Sequence, residues 1–271
     1  MNTKTTLYSV ISRLGTQYIV INSCLCLIIL PQGESFFSVN KVRPFSFCAL
    51  LLVALLGLDN SAVSLNASST SYLEEEIEIL WGEQDPAGQE IFLSRMHQRL
   101  PELEELFKEA ATQSDLHWTL LAAISYQESH WDPKAISKTG VRGLMMLTQT
   151  TAKEVGISKR TDPKQSVIGG SIYFQRLLEQ FPDSIPRQDK LWMTMAAYNL
   201  GFSYLKEARK ITRANNKNPN SWKEVSNALS LMARKEQDKI MIERINEALD
   251  YVQKVQLYYR TLSVNKRILV F

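Results

Sequence analysis

The chain has 271 residues, 45% of them hydrophobic and 22% charged, with a formal net charge of +3. That is length for one or two domains and apolar content for a packed core, while so small and dispersed a positive charge argues against a nucleic-acid surface. The three cysteines, Cys24, Cys26 and Cys48, all precede residue 60, so the body needs no disulfide and offers no thiolate metal site; His97, His117 and His130 are scattered, and neither a metal nor a cofactor is implied.

Residues 1–65 read as a targeting region. Lys41 and Arg43 precede an almost unbroken apolar run from Phe45 to Leu58, followed by small and polar residues with Ala62-Val63-Ser64 and Leu65-Asn66-Ala67 as candidate cleavage sites. Positive, apolar, small is the order of a secretory signal. The run is about 14 residues, short of the roughly 20 that span a bilayer; an uncleaved anchor is the alternative, and with it membrane association. A second apolar run, Tyr18 to Leu30, lies ahead of the first. Two tandem signals are redundant, so one hypothesis starts translation near Val39; N-terminal sequencing of the mature protein tests it, and retention of Thr5 would sink it. Cys24 follows Ile21-Asn22-Ser23, a poor acylation site behind too short an apolar segment.

Residues 66–88 read as a linker and a short helix: Ala67 to Ser71 is small, and Tyr72 to Trp81 can form an acidic helix stopped by Gly82 and Asp85-Pro86. Residues 89–262 form the main domain, with 263–271 as a tail. Ile91, Phe92, Met96 and Leu100, then Leu103, Leu106 and Phe107, recur at helical spacing and predict core. Pro101 suits the start of the second of these helices. Thr148 to Val155 is a short helix closed by Gly156. Asp162-Pro163 opens the next, and Ser166 to Phe181 carries the stripe Ile168, Ile172, Leu177 and Leu178. Pro182 and Pro186 bracket a loop, Gln188 to Tyr198 is helical, Asn218 to Asn220 is a turn, Trp222 to Leu231 is a helix, and Glu236 to Tyr259 is a long final helix. Eight or nine helices without strand alternation predict an all-α fold.

The chemistry points to the apolar helix from Leu116 to Glu128. Asp115 is a plausible N-cap, and Asp132-Pro133 ends the segment. Stepping back from Glu128 by helical intervals meets Ile124 and Leu121, so the carboxylate shares an inward face. Desolvation should raise its pKa, as an acid working near neutral pH requires. The plainer alternative makes Glu128 a helix cap or the partner of Arg142.

From Glu128 onward the chain carries a set of separate blocks: Glu128-Ser129, Trp131-Asp132-Pro133, Ala135, Ser137, Gly140-Val141-Arg142-Gly143-Leu144-Met145, Gly169-Gly170 with Tyr173, Ala197-Tyr198-Asn199-Leu200-Gly201, and Glu247 four residues before Tyr251-Val252. In this order they resemble the lytic murein transglycosylases of the SLT-domain type, a lysozyme-like superfamily. The wording is closest to the catalytic domain of the F-type membrane-bound enzymes, over about Ile91 to Tyr258. The resemblance implies an all-α, lysozyme-like helical domain with a glycan-binding cleft, exported to the periplasm, with attachment to the outer membrane as an option. Its partner would be the peptidoglycan glycan strand; the sequence settles no oligomeric state.

By resemblance Glu128 is the catalytic acid and base that cuts the MurNAc-β-1,4-GlcNAc bond without water and leaves a 1,6-anhydro end. Ser129, Ser137, Met145, Met146, Tyr198, Asn199 and Glu247 would contact substrate, Ser137 through the muramyl N-acetyl group. On pattern alone Ser129 and Ser137 are a cap and a turn residue, Gly140 and Gly143 tight turns, Tyr198 a buried satisfied tyrosine, and Glu247 a solvated charge. The chain departs from the wider family at Met146, where Gln is common, at Gln149 in place of Pro, and at Arg244-Ile245-Asn246, where Ile245 could narrow a sugar subsite. The solute-binding-like domain that precedes the F-type catalytic part has no room here. A hydrolase of the same fold, with a second carboxylate and a held water, and a non-catalytic glycan-binding scaffold are the rival readings.

Overall fold

The computed structural model describes residues 10–13, 16–19, 28–29, 73–114 and 116–266, and the chain divides into two units, Met1–Val63 and Ser64–Phe271. In the first, β1 (Val10–Arg13), β2 (Thr16–Ile19) and β3 (Ile28–Ile29) form an antiparallel sheet in the order β1-β2-β3. Val10 stands opposite Ile19, and Tyr18 opposite Ile29. The apolar run from Tyr18 to Leu30 therefore supplies part of β2 and all of β3. The Phe45 to Leu58 run, both candidate cleavage sites and the three cysteines lie outside the described residues. Among the described residues, no helix is long and apolar enough to cross a membrane.

The second unit is helical, and its helix starts are written in the sequence. Helix α1 is described over residues 73–84. Asp85 then caps α2 (Pro86–Gln98), accepting from Gly88 N with Pro86 in the first turn, where a missing N–H costs nothing. After α3 (Leu100–Ala111) and α4 (Trp118–Ser129), Thr148 caps α5 (Gln149–Glu154) and Asp162 caps α6 (Pro163–Glu179), each accepting a backbone N–H with its side chain. Helices α7 (Arg187–Leu200), α8 (Phe202–Ala214) and α9 (Trp222–Lys235) come next. Asp238 caps the long α10 (Lys239–Asn265).

Helix α4 is the axle. Every residue from Thr119 to Tyr126 is buried, so it has no outward face, and α3, α6 and α10 pack around it. Its C-terminal end is gripped by aromatic rings. Phe92 stacks on Tyr258 with centroids 5.0 Å apart and meets the edge of Tyr126 at 4.6 Å, while Trp81 and Trp131 close the cluster. The polar atoms of the two indoles are satisfied: Trp81 Nε1 donates to Thr261 Oγ1 at 3.0 Å and Trp131 Nε1 to the Ala122 carbonyl at 2.8 Å.

Several expectations change. The N-cap of α4 is His117, whose ring nitrogen accepts from Thr119 N; Asp115 lies outside the described residues. Ile91 is 49% exposed, because α2 turns Phe92 and Met96 to the core instead. The inward stripe of α6 is rotated by one residue: Val167, Gly170, Phe174, Leu177 and Leu178 are buried, while Ile168 and Ile172 are half-buried. The short helix expected within residues 66–88 is part of the packed body, since Ile77 and Trp81 of α1 lie in the core and Glu76 pairs with Arg260 of α10. Helix α8 is not among the helices predicted from the sequence; it buries Leu205, Ala208 and Thr212, with Phe202, Tyr204 and Ile211 packed against the core. Ile245 is only 1% exposed, so its bulk fills core rather than narrowing a sugar subsite.

Candidate active site

Helix α4 ends abruptly one residue past Glu128. His130 and Trp131 both take left-handed backbone, at φ 52° and 58°. For a residue as bulky as Trp this is a strained conformation, which persists only where the surroundings over-determine it. Here they do: the indole is buried against Phe92 and Tyr126 and tied to the helix it has just left. The reversal holds the Glu128 end of α4 in one place.

Glu128 is half-buried as a residue, and the protein surrounding its carboxyl penalises the charged form. Burial drives its pKa from the ordinary 4.5 up to about 7, opposed in part by a hydrogen bond from Tyr251. Tyr251 Oη donates to Glu128 Oε1 at 2.7 Å, linking α4 to α10. No cation lies within ion-pair distance of this carboxylate among the described residues; Arg142 is exposed and joins Ile136 and Leu147 through isolated backbone bridges instead. Burial and the Glu128 charge together push the Tyr251 hydroxyl well above its usual range. Tyr198 is raised likewise, and it too feels the Glu128 charge.

Beside the acid runs a loop whose carbonyls are held one by one. The Leu144 carbonyl accepts from Ser125 Oγ at 3.1 Å and from Ser129 Oγ at 3.0 Å; Ser129 Oγ also reaches the Ser125 carbonyl at 2.9 Å. The Met145 carbonyl accepts from Tyr198 Oη at 2.9 Å, and Met145 N donates to Ser166 Oγ at 3.1 Å. Gly143 sits at φ +91°, and a Cβ there would fall 2.2 Å from the Arg160 carbonyl, so glycine is required by both backbone and space. Met146 is half-buried at φ 45°, a backbone shape L-residues seldom adopt.

Residues 105–221 match the family described as "Transglycosylase SLT domain". That stretch is similar to the SLT-domain family. Among similar curated proteins, the "Membrane-bound lytic murein transglycosylase F 1" of Alkalilimnicola ehrlichii is 42% identical over 202 residues, covering 73% of this chain and 41% of that one. The "Membrane-bound lytic murein transglycosylase F" of Ectopseudomonas mendocina is 45% identical over 179 residues, 65% and 37% of the two chains. The chain thus spans about two-fifths of the length of these relatives. The solved lytic transglycosylase Slt of Pseudomonas aeruginosa aligns at 20% identity over 60% of this chain and 24% of that one, with a TM-score of 0.46.

In the helical unit the sequence-derived residues take distinct places. Glu128, Ser129, Met145 and Tyr198 form one bonded or packed group, but Ser129 is buried and its hydroxyl proton goes to backbone. Met145 is wholly buried against Gly170, where an added Cβ would meet its side chain at 2.7 Å. Ser137 closes a turn: its amide donates to the Val141 carbonyl, its Oγ accepts from Val141 N at 3.0 Å, and Thr139 Oγ1 lies at 3.1 Å. Asn199 is exposed at the end of α7. Glu247 is exposed on α10, one helical turn before Tyr251, and therefore on the same side of the helix.

The site also uses residues that the sequence alone does not single out. Tyr251 is the chief one, serving there only as a spacing landmark; its signal is the four-residue step from Glu247. Ser125 precedes Ser129 by the same step and shares its task, and Ser166 gives no local sign at all.

Proposed function

We propose that this SLT domain is a peptidoglycan lytic transglycosylase that cuts the MurNAc-β-1,4-GlcNAc bond and leaves a 1,6-anhydro-MurNAc end. The observation that carries the reading is Glu128 itself: one carboxyl at the C-terminal end of a buried helix, with a pKa of about 7 and a tyrosine as its hydrogen-bond partner. A group so poised is protonated often enough to donate and basic enough to accept near neutral pH.

Protonated Glu128 gives its proton to the glycosidic oxygen as the bond from that oxygen to the muramyl C1 breaks. The resulting carboxylate then takes the proton of the same sugar's 6-hydroxyl, whose oxygen closes onto C1. Atoms balance without water, the acid regains its proton, and no second carboxylate is needed to hold a nucleophile. The intramolecular hydroxyl gains from proximity, worth several kcal/mol in well-oriented systems. Tyr251 supports both halves by fixing the carboxyl and donating to its ionised form. The bonded Leu144–Met145 loop supplies a stiff wall beside it, with exposed Asn199 and Glu247 as polar contacts for sugar hydroxyls and N-acetyl groups.

The relatives' names say membrane-bound, and the apolar N-terminal runs fit export; the proposed site of action is periplasmic peptidoglycan, with the protein held at the envelope membrane. Mass spectrometry of purified sacculi digested by the chain tests the reaction. Anhydro ends, lighter than hydrolysed ends by one water (about 18 mass units), are expected; free reducing ends would refute it.

A further inference from the structure

We propose that a basic groove adjoining the Glu128 loop holds the free carboxylates of the peptide stems that branch from the glycan strand. The inference rests on the reaction proposed above and names a second contact for the same substrate. The groove has a volume of 850 Å³, and its lining includes Arg142, Lys153, Lys159 and Arg160 but no Asp or Glu. Among the described residues, the side chains of Arg142, Lys153 and Lys159 have no hydrogen bond or ion pair with the protein. Arg160 donates to the Leu147 carbonyl.

The neighbouring acids do not answer this charge. Asp162 is engaged in capping α6 through Gln165 N, which leaves exposed Glu154 as the other acid between Lys153 and Asp162. Four cations sharing one concave, acid-free surface repel one another and focus a positive potential, which an entering anion relieves. Some surface cations elsewhere are answered by acids, as Lys108 is by Glu104 and Glu105, and Lys164 by Glu109; the groove differs in gathering four cations on one concave lining without an acid.

The groove and the candidate active site share one stretch of chain. Between Val141 and Leu147, the Leu144 and Met145 carbonyls are held by Ser125, Ser129 and Tyr198, while Arg142 lines the groove and the Leu147 carbonyl accepts from Arg160, another of its lining residues. The muramyl residue that meets Glu128 is the sugar that bears a peptide. Its hydroxyls and N-acetyl group are neutral, so the stem supplies the anions: backbone-terminal and side-chain carboxylates on a flexible arm. Arg142 and Arg160 offer planar forks suited to a carboxylate, and the two lysines offer point charges.

The test compares the full native chain with Lys153→Glu/Lys159→Glu and Lys153→Arg/Lys159→Arg on three substrates: glycan strands with stems, strands stripped of stems by an amidase, and strands whose stem carboxyls are amidated. The charge-reversed variant should show KM on stem-bearing strands raised about tenfold with kcat little changed, and native kinetics on the other two; the arginine variant should keep native KM. Added salt should raise the native KM on stem-bearing strands alone. Equal loss on stripped strands, or no change on stem-bearing ones, overturns the groove. If the native chain cuts none of the substrates, the reaction itself fails, and co-sedimentation with stem-bearing strands then decides the groove: equal binding by native and charge-reversed chains overturns it.

Discussion

Glu128→Gln separates the chemistry of the acid from the cost of keeping it. The amide is nearly the shape of the acid and can still accept the Tyr251 hydrogen bond, but it neither ionises nor transfers a proton. Loss of general acid-base catalysis should lower kcat by about 10²–10⁴-fold, with sacculus binding retained. Stability should move the other way. The Glu128 pKa rises from 4.5 in the unfolded chain to about 7 in the fold, so between these values the native state holds the proton more tightly. Its stabilising effect is complete below pH 4.5 and is lost as pH climbs through 7. At 1.36 kcal/mol per pH unit this amounts to about 3 kcal/mol, an upper figure for a half-buried residue. Urea unfolding of the native chain and of the Glu128→Gln variant is best compared at pH 4, 7 and 9, below the range where the raised tyrosines Tyr198 and Tyr251 ionise. Glu128→Gln should match the native chain at pH 4 and exceed it by about 2–3 kcal/mol at pH 9. A difference independent of pH, or a native chain that is the more stable at pH 9, would refute the assignment of Glu128 as a desolvated acid.

Two further substitutions test the supports of that acid. Tyr251→Phe keeps the ring but deletes the donor that lowers the Glu128 pKa. The alkaline limb of the pH-rate profile should then move up by about one pH unit or more, with kcat reduced at every pH; a limb that stays put or moves down would show that the bond does not tune the acid. Gly143→Ala places a Cβ 2.2 Å from the Arg160 carbonyl on backbone at φ +91°. The Leu144–Met145 loop must shift, at about 1–3 kcal/mol of stability, and turnover should fall with it. Native Tm and native turnover together would mean that the loop does not depend on this glycine.

The residues around Glu128 divide into those that touch it and those that hold the wall beside it. Ser129 illustrates the second kind. Adjacent to the acid in sequence, it rotates away along the helix to bond the Ser125 and Leu144 carbonyls. Tyr198, 70 residues later in the chain, reaches the same loop through the Met145 carbonyl. A serine next to the acid is thus a brace, and the hydroxyl in contact with the acid comes from the far end of the domain.

Local chemistry was legible from the sequence: Thr148 and Asp162-Pro163 open helices because a side-chain acceptor, and in the second case a preset φ, act within one turn, whereas Asp85-Pro86, read as a stop, also opens α2. The Glu128 end of an apolar helix, the glycine turns and the family blocks were readable for the same reason, being short-range patterns. Ile91 and the first half of the α6 stripe, Ile168 and Ile172, were misplaced because hydrophobic spacing gives a period, and the phase belongs to whichever neighbour packs closest. Helix α8 escaped notice although Leu205 and Ala208 face inward, because charged residues separate its apolar positions. Tertiary structure alone decided that Trp81 belongs to the core, that Tyr251 meets Glu128 across 123 residues of chain, and that four cations share one groove. A contact between distant segments leaves no local pattern, because what selects it is the packing of α10 against α4 rather than any preference of the residues themselves.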